Sequence, residues 1–362
     1  MVPFLNVLRG YDELRDEIDA TVAQSLASGR YIGGPEVEAF EAAFAQYTGT
    51  THCIGVGNGL DALRLALAAL GVGPGDEVLV PSNTFIATWL AVSQIGAVPV
   101  PVEPDPLTHN VTAEGLEAAI TARTRAILPV HLYGCPAPID EIAELAGARG
   151  LFVVEDAAQA HGASWKGRRI GGHGHAATWS FYPGKNLGAF GDGGAVTTNN
   201  PDLANRIRML GNYGSRARYV HELQGMNSRL DPVQAAILSV KLARLDDWND
   251  RRRAIAARYA AALSGKEIVL QTIPQAADPV WHLFVVRHSR RAALQDWLTG
   301  QGVQTLIHYP CPPHKQDAYN TTDTLPVAER LAGEVLSLPI GPHMTDEEVS
   351  RVIVAITAFF DE

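Results

Sequence analysis

The sequence predicts an α/β protein, a mostly parallel sheet with helices on both faces, followed by a smaller C-terminal domain. Three observations carry this. Short β-prone runs punctuate the chain from residue 53 to residue 198, and the first four intervals between them hold helical patterns. The run Leu151-Phe152-Val153-Val154-Glu155-Asp156 is so apolar up to its acidic end that it must be a buried strand. Beyond Asp231-Pro232, residues Ala235, Leu238, Leu242, Leu245 and Trp248 recur at spacings of three and four, which predicts a long connecting helix, kinked near Trp248. The organisation expected is therefore an N-terminal segment and large domain over residues 1–249 and a small domain over 250–362.

Taken in order, two helical patterns come first, Tyr11 to Ser28 and Pro35 to Tyr47, with Gly33-Gly34 before a proline suited to a first helical turn. Cys53 to Val56 reads as a buried strand, followed by Gly57-Asn58-Gly59 and a helix from Leu60 to Leu70. Strand and helix then alternate: Glu77 to Pro81 and Ile86 to Ile95, Val98 to Val102 and Ala113 to Ile120, Ala126 to Val130 and Ile139 to Ala148, then the strand Leu151 to Asp156. Ala176 to Phe181 and Gly194 to Thr198 are strands on either side of a glycine-rich loop, and Pro201 to Leu210 is a helix. The small domain is expected to hold strands at Trp281 to Val286 and Thr305 to Tyr309, a helix from Arg291 to Thr299, and a last helix from Asp346.

Composition narrows the function. The 362 residues are 46% hydrophobic and 19% charged, ordinary for a globular protein, and the formal net charge of -10 without a basic stripe argues against nucleic acid as a partner. Arg251-Arg252-Arg253 lies beside Asp246, Asp247 and Asp250 in a helical pattern and reads as a solvated face. Three widely separated cysteines, Cys53, Cys135 and Cys311, fit a reducing compartment. With no signal-peptide pattern at Met1-Val2-Pro3-Phe4-Leu5 and no bilayer-length apolar run, the expectation is a soluble cytoplasmic protein.

In an open α/β sheet, ligands bind beyond the carboxyl ends of the strands. Five features stand there. Gly57-Asn58-Gly59 opens a helix, where small residues and the helix dipole favour a phosphate; it is neither a dinucleotide fingerprint nor a Walker loop. Asp156 ends the buried strand and needs a partner for its charge. Gln159 follows three residues on, Phe85 can cover a flat ligand, and Lys185 sits in Ser180-Phe181-Tyr182-Pro183-Gly184-Lys185-Asn186-Leu187-Gly188. Taken singly, these are a tight turn, a helix cap, a core ring and a solvated lysine. Together they describe a phosphorylated, planar, cationic heterocycle bearing an aldehyde, pyridoxal 5'-phosphate, with Lys185 as the amine made nucleophilic by shielding from water.

Asp156-Ala157-Ala158-Gln159-Ala160-His161-Gly162 and the Ser180 to Gly188 stretch resemble signatures of the DegT-type nucleotide-sugar aminotransferases, and the similarity extends from Val2-Pro3-Phe4-Leu5 through Ser228-Arg229-Leu230-Asp231 to His308-Tyr309-Pro310. The resemblance implies the aspartate-aminotransferase-like fold type I, with a seven-stranded, mostly parallel sheet and an α+β small domain. It implies that Lys185 is the Schiff-base lysine, that Asp156 pairs with the pyridine nitrogen and that Gln159 contacts the ring hydroxyl. Gly57, Asn58, Gly59 and Ser180 would hold the phosphate, Phe85 would stack on the ring, and Asn227 would reach the phosphate of the neighbouring subunit in a homodimer. Tyr182, His308 and Tyr309 are candidates for substrate contacts.

Lys185 argues against the dehydratase branch of that family, which has histidine in its place. Asn58-Gly59-Leu60-Asp61-Ala62-Leu63 and the stretch from Ile307 to His314 resemble enzymes that aminate C3 of dTDP-3-keto-6-deoxyhexoses from L-glutamate; amination at C4 is the alternative, and a non-catalytic cofactor-binding regulator a remote one. A nicotinamide-dependent oxidoreductase is disfavoured by the missing Gly-x-Gly-x-x-Gly. One departure stands out: the family's usual acidic residue in Gly-x-x-Gly-Asp is His175 in Gly171-Gly172-His173-Gly174-His175. Two histidines without further ligands do not make a metal site, so no metal is expected.

Overall fold

A computed structural model describes residues 1–319 and 321–361. Its central sheet has seven strands: β1 His52–Val56, β2 Glu77–Pro81, β3 Val98–Val102, β4 Thr124–Ile127, β5 Phe152–Asp156, β6 Ala176–Ser180 and β7 Gly194–Thr198. Their order is β1-β7-β6-β5-β4-β2-β3, with β7 antiparallel to both neighbours and the remaining pairs parallel. Strands β2 and β7 are buried along their whole length, as strands covered by helices on both faces must be. The crossover helices Gly59–Ala69, Ala87–Gln94, Ala113–Ala119 and Ile139–Arg149 follow β1 to β4 in turn. β1, β2, β5 and β6 therefore end on the same edge, which collects Asn58, Phe85, Asp156 and Ser180.

The helix Leu245–Leu263 leads away from this sheet to a three-stranded antiparallel one, made of β8 Val269–Leu270, β9 Phe284–Arg287 and β10 Val335–Leu338 in that order. Ile255, Tyr259, Phe284, Leu294, Leu336 and Val352 form its core, and a capping box between Thr345 and Glu348 starts its last helix, Asp346–Ala358. Val2 is buried in the same core and bridges to Val303, so the extreme N-terminus packs with the C-terminal sheet. Among the described residues no helix is long and apolar enough to cross a membrane.

Three expected elements differ. The single helix expected from Tyr11 to Ser28 is two, Leu8–Glu13 and Arg15–Ala27, broken where Leu14 turns into a small core with Ile18, Ile237 and Trp248. The connecting helix breaks earlier than Trp248, at Ala243-Arg244, between Pro232–Leu242 and Leu245–Leu263. Thr305 to Tyr309 is no strand: only Leu306 bridges, to Ser337 of β10. The place is held by β10 itself, which follows the helix Pro326–Glu334 directly.

Candidate active site

β5 delivers Asp156 to a cavity of about 500 Å³ at the carboxyl edge of the sheet. The carboxylate is buried; Thr88 Oγ1 donates to Oδ2 at 3.0 Å and the Ala158 N–H to Oδ1 at 3.2 Å. Burial raises its pKa, opposed by these two donors and by the charge of Lys185. A cationic group bound beside it would remove that burden, because an opposite charge favours the ionised carboxyl.

β6 ends in Ser180, and the loop beyond it carries Lys185, whose N–H closes a turn onto the Tyr182 carbonyl at 2.9 Å. Lys185 opens to the cavity but is enclosed by protein atoms around its stem. Burial lowers its amine to about 8, with Asp156 pulling the other way.

The helix after β1 is capped by Asn58, whose side chain accepts the Asp61 N–H at 2.9 Å. The N–H groups of Gly59 and Leu60 belong to the first turn and have no partner inside the helix, and both residues line the cavity. Glycine is required at 59 by close approach, since a Cβ there would lie 2.7 Å from Ser180 Cβ. First-turn donors and the Ser180 hydroxyl thus share one corner, a ready anion site. Gly57 stands apart: its N–H donates to Ser228 Oγ at 2.9 Å, and it does not line the cavity.

Phe85 is 52% exposed, too open for a core ring, and lies over the cavity 5.5 Å from the Tyr309 ring. Gln159 accepts the Tyr133 N–H at 2.6 Å and donates to the Tyr309 hydroxyl at 3.1 Å, which leaves one of its amide protons unassigned. Tyr182 and Tyr309 also line the cavity.

Of the predicted site residues, Asn58, Gly59, Phe85, Asp156, Gln159, Ser180, Tyr182, Lys185 and Tyr309 come together; Gly57, His308 and Asn227 do not. The His308 ring turns to Ser337 Oγ at 2.8 Å, and its backbone carbonyl accepts from the Tyr133 hydroxyl. Asn227 is exposed beside Ser228 and Arg229, which line a separate cleft of about 870 Å³. Thr88 and Tyr133 were not anticipated. Thr88 carried a faint signal, since it stands one helical turn after Thr84, whose hydroxyl lies 2.9 Å from its own.

The His173-Gly174-His175 turn keeps its hydrogen bonds. Glu155 Oε1 accepts the N–H groups of His173 and Gly174 at 2.9 and 2.8 Å, and His175 Nδ1 accepts from Val153 N–H at 3.1 Å. Among the described residues, no group of three or more His, Cys, Asp or Glu is placed to hold a metal ion.

The sheet order, the lysine beyond β6 and the acid ending β5 define an aminotransferase of fold type I. The chain belongs to the DegT/DnrJ/EryC1/StrS aminotransferase family, whose model matches residues 12–357. It is 56% identical over 360 residues to the dTDP-3-amino-3,4,6-trideoxy-alpha-D-glucose transaminase of Streptomyces venezuelae, covering 98% of this chain and 95% of that one. It is 51% identical over 361 residues to the dTDP-3-amino-3,6-dideoxy-alpha-D-galactopyranose transaminase of Aneurinibacillus thermoaerophilus, with 99% of each chain covered. The crystal structure of S. venezuelae DesV in complex with a ketimine intermediate matches with a TM-score of 0.98 at 56% identity, over 100% of this chain and 99% of that one.

Proposed function

We propose that the protein transfers the amino group of L-glutamate to C3 of a dTDP-linked 3-keto-6-deoxyhexose, giving the dTDP-3-amino-3,6-dideoxyhexose, with pyridoxal 5'-phosphate as cofactor. The observation that carries the chemistry is Lys185 facing buried Asp156 across a cavity with an anion corner and an open aromatic ring. The relatives' shared 3-amino-6-deoxy products support the C3 position; they differ at C4 of the sugar.

When bound, the cofactor supplies an electron sink for the pair left as a proton leaves the substrate carbon. Asp156 would pair with the protonated pyridine nitrogen, its carboxylate oriented by Thr88. The N–H groups of Gly59 and Leu60 and the Ser180 hydroxyl hold the phosphate, with Asn58 organising the helix start. Gly57, whose N–H is taken by Ser228, is left out of the phosphate contacts. Gln159 would contact the ring hydroxyl through its remaining amide proton, and Phe85 would cover the ring. Lys185 moves the proton, a role its lowered pKa suits. Tyr182 and Tyr309 are the sugar-side contacts, with Asn227 supplied by the neighbouring subunit of a homodimer. In the same reading, residues 1–249 form an N-terminal segment and the large cofactor-binding domain, 250–362 form the small C-terminal domain, and the protein works in the cytoplasm.

The test sets dTDP-3-keto- and dTDP-4-keto-6-deoxyhexoses side by side with glutamate. An aminated sugar and 2-oxoglutarate are expected from the 3-keto substrate; preferential amination of the 4-keto sugar overturns the C3 assignment.

A further inference from the structure

Asn186, the residue after Lys185, is buried with every polar group of its amide engaged. Its Nδ2 donates to Asn249 Oδ1 and to the Val280 carbonyl, both at 2.9 Å, and His282 Nδ1 faces its Oδ1 at 3.2 Å. Asn249 is 1% exposed and belongs to the helix Leu245–Leu263, which joins the two sheets. Its own Nδ2 donates to the His161 carbonyl at 2.8 Å. His161 lies five residues after Asp156, with its ring 5.2 Å from Trp179 and 5.8 Å from Phe181, on the strand that leads to the lysine. One buried amide is therefore bonded at one end to the residue beside Lys185 and at the other to the segment that begins at Asp156.

The packing leaves this bridge no slack. A Cβ on Gly162 would come within 2.6 Å of Asn249 Nδ2. A buried amide with donor and acceptor both satisfied is held more stiffly than a solvated one, since loosening it strands polar groups away from water. On the next turn of the same helix, Arg252 donates to the carbonyls of Trp281 and His282 at 3.2 and 3.4 Å, fixing the other support of Asn186.

We propose that Asn249 is a positioning residue for Lys185. Through Asn186 it sets the direction in which the lysine leaves its loop, and through His161 it references that direction to Asp156. The connecting helix, none of whose described residues lines the cavity, thereby fixes the spacing of lysine and carboxylate. The inference rests on reading Lys185 as the reactive amine.

The experiment uses the holoenzyme of wild type, Asn249→Ala and, should that variant not fold, Asn249→Ser. Borohydride trapping identifies the labelled lysine, a pH titration of the visible absorbance of the cofactor–lysine adduct gives its midpoint, and steady-state assays separate kcat from KM. The titratable groups around Lys185 are Asp156, Asp192, Tyr182 and Tyr309, which line the same cavity, and His161, His282 and His308; the substitution removes none of them and loosens the support of His161 and His282. Loosening the loop admits water to the adduct nitrogen and stabilises its protonated form, so the midpoint is expected to rise by about half a unit or more. Misdirection of the amine is expected to lower kcat roughly tenfold, with KM for the keto sugar changed by less than about twofold. Ile255→Ala, a core truncation on the same helix without contact to Asn186, controls for destabilisation and should leave the midpoint in place. An unchanged midpoint and kcat in the Asn249 variant, or an equal shift in Ile255→Ala, overturns the role of Asn249. A wild-type label on a lysine other than Lys185 overturns the reading beneath it as well.

Discussion

Asp156 is buried and Lys185 half-buried, each against the charge it carries. Burial lowers the amine to about 8, while the carboxyl is pushed up, and the mutual attraction of the two only partly offsets each shift. For a base the direction is favourable. A lysine accepts a proton only in its neutral form, which is populated above its pKa; at pH 8 about half of such an amine is neutral, against well under one per cent for an ordinary lysine near 10.4. The single-turnover rate of the glutamate half-reaction is accordingly expected to rise with pH up to about 8 and then level off. The imidazoles around the amine add no step in that range, since burial lowers His161 to about 3 and His308 to about 4 and drives His282 well below its ordinary value. A stopped-flow profile that keeps climbing toward pH 10 would contradict the role given to Lys185.

Among the elements, β7 does the most to place the anion corner, because it lies antiparallel between β1 and β6 and pairs Gly194 with both Val56 and Ser180. A Cβ on Gly194 would stand 2.5 Å from the Asn58 carbonyl carbon and oxygen and 2.8 Å from the Trp179 oxygen, all backbone atoms that cannot swing aside. Gly194→Ala should push the helix start away from Ser180. Overpacking of this kind costs about 1–3 kcal/mol, so cofactor affinity measured by equilibrium dialysis should weaken by about five- to 150-fold if the strain falls on the bound state. Unchanged retention would show that the corner is built elsewhere. Six strands of this sheet were legible to within a residue, since burial turns most of them into apolar runs with clear ends, while the one expected at Ala126 to Val130 runs Thr124–Ile127; Asp156, Ser180 and Lys185 were legible because they stand at or just beyond strand ends. In the small domain the signals conflict. Thr305 to Tyr309 has strand-like residues but only one bridge, while β10 follows its helix without a turn residue to announce it. Thr88 to Asp156 and Asn186 to Asn249 are contacts across 68 and 63 residues, created by the fold and marked by no local pattern.

At the scale of the whole molecule, one predicted residue points outward. Asn227 is exposed, and Ser228 beside it holds the Gly57 N–H from behind the phosphate corner, so the chain passes close to its own site without turning Asn227 into it. In the proposed homodimer a second subunit would receive this side chain, and that arrangement has a consequence that a residue acting in its own chain does not share. Lys185→Ala and Asn227→Ala homodimers would each carry two impaired sites. In a heterodimer formed by subunit exchange, one site would collect both substitutions and the other would collect neither. Random exchange at equal concentrations makes about half of the dimers mixed and restores about a quarter of wild-type sites. Were Asn227 to act within its own subunit, each chain of the heterodimer would keep its own defect and mixing would restore nothing. The measurement is transaminase activity of the two variants apart and after exchange. Recovery toward about a quarter supports a shared site; activity no higher than the mean of the separate variants overturns it.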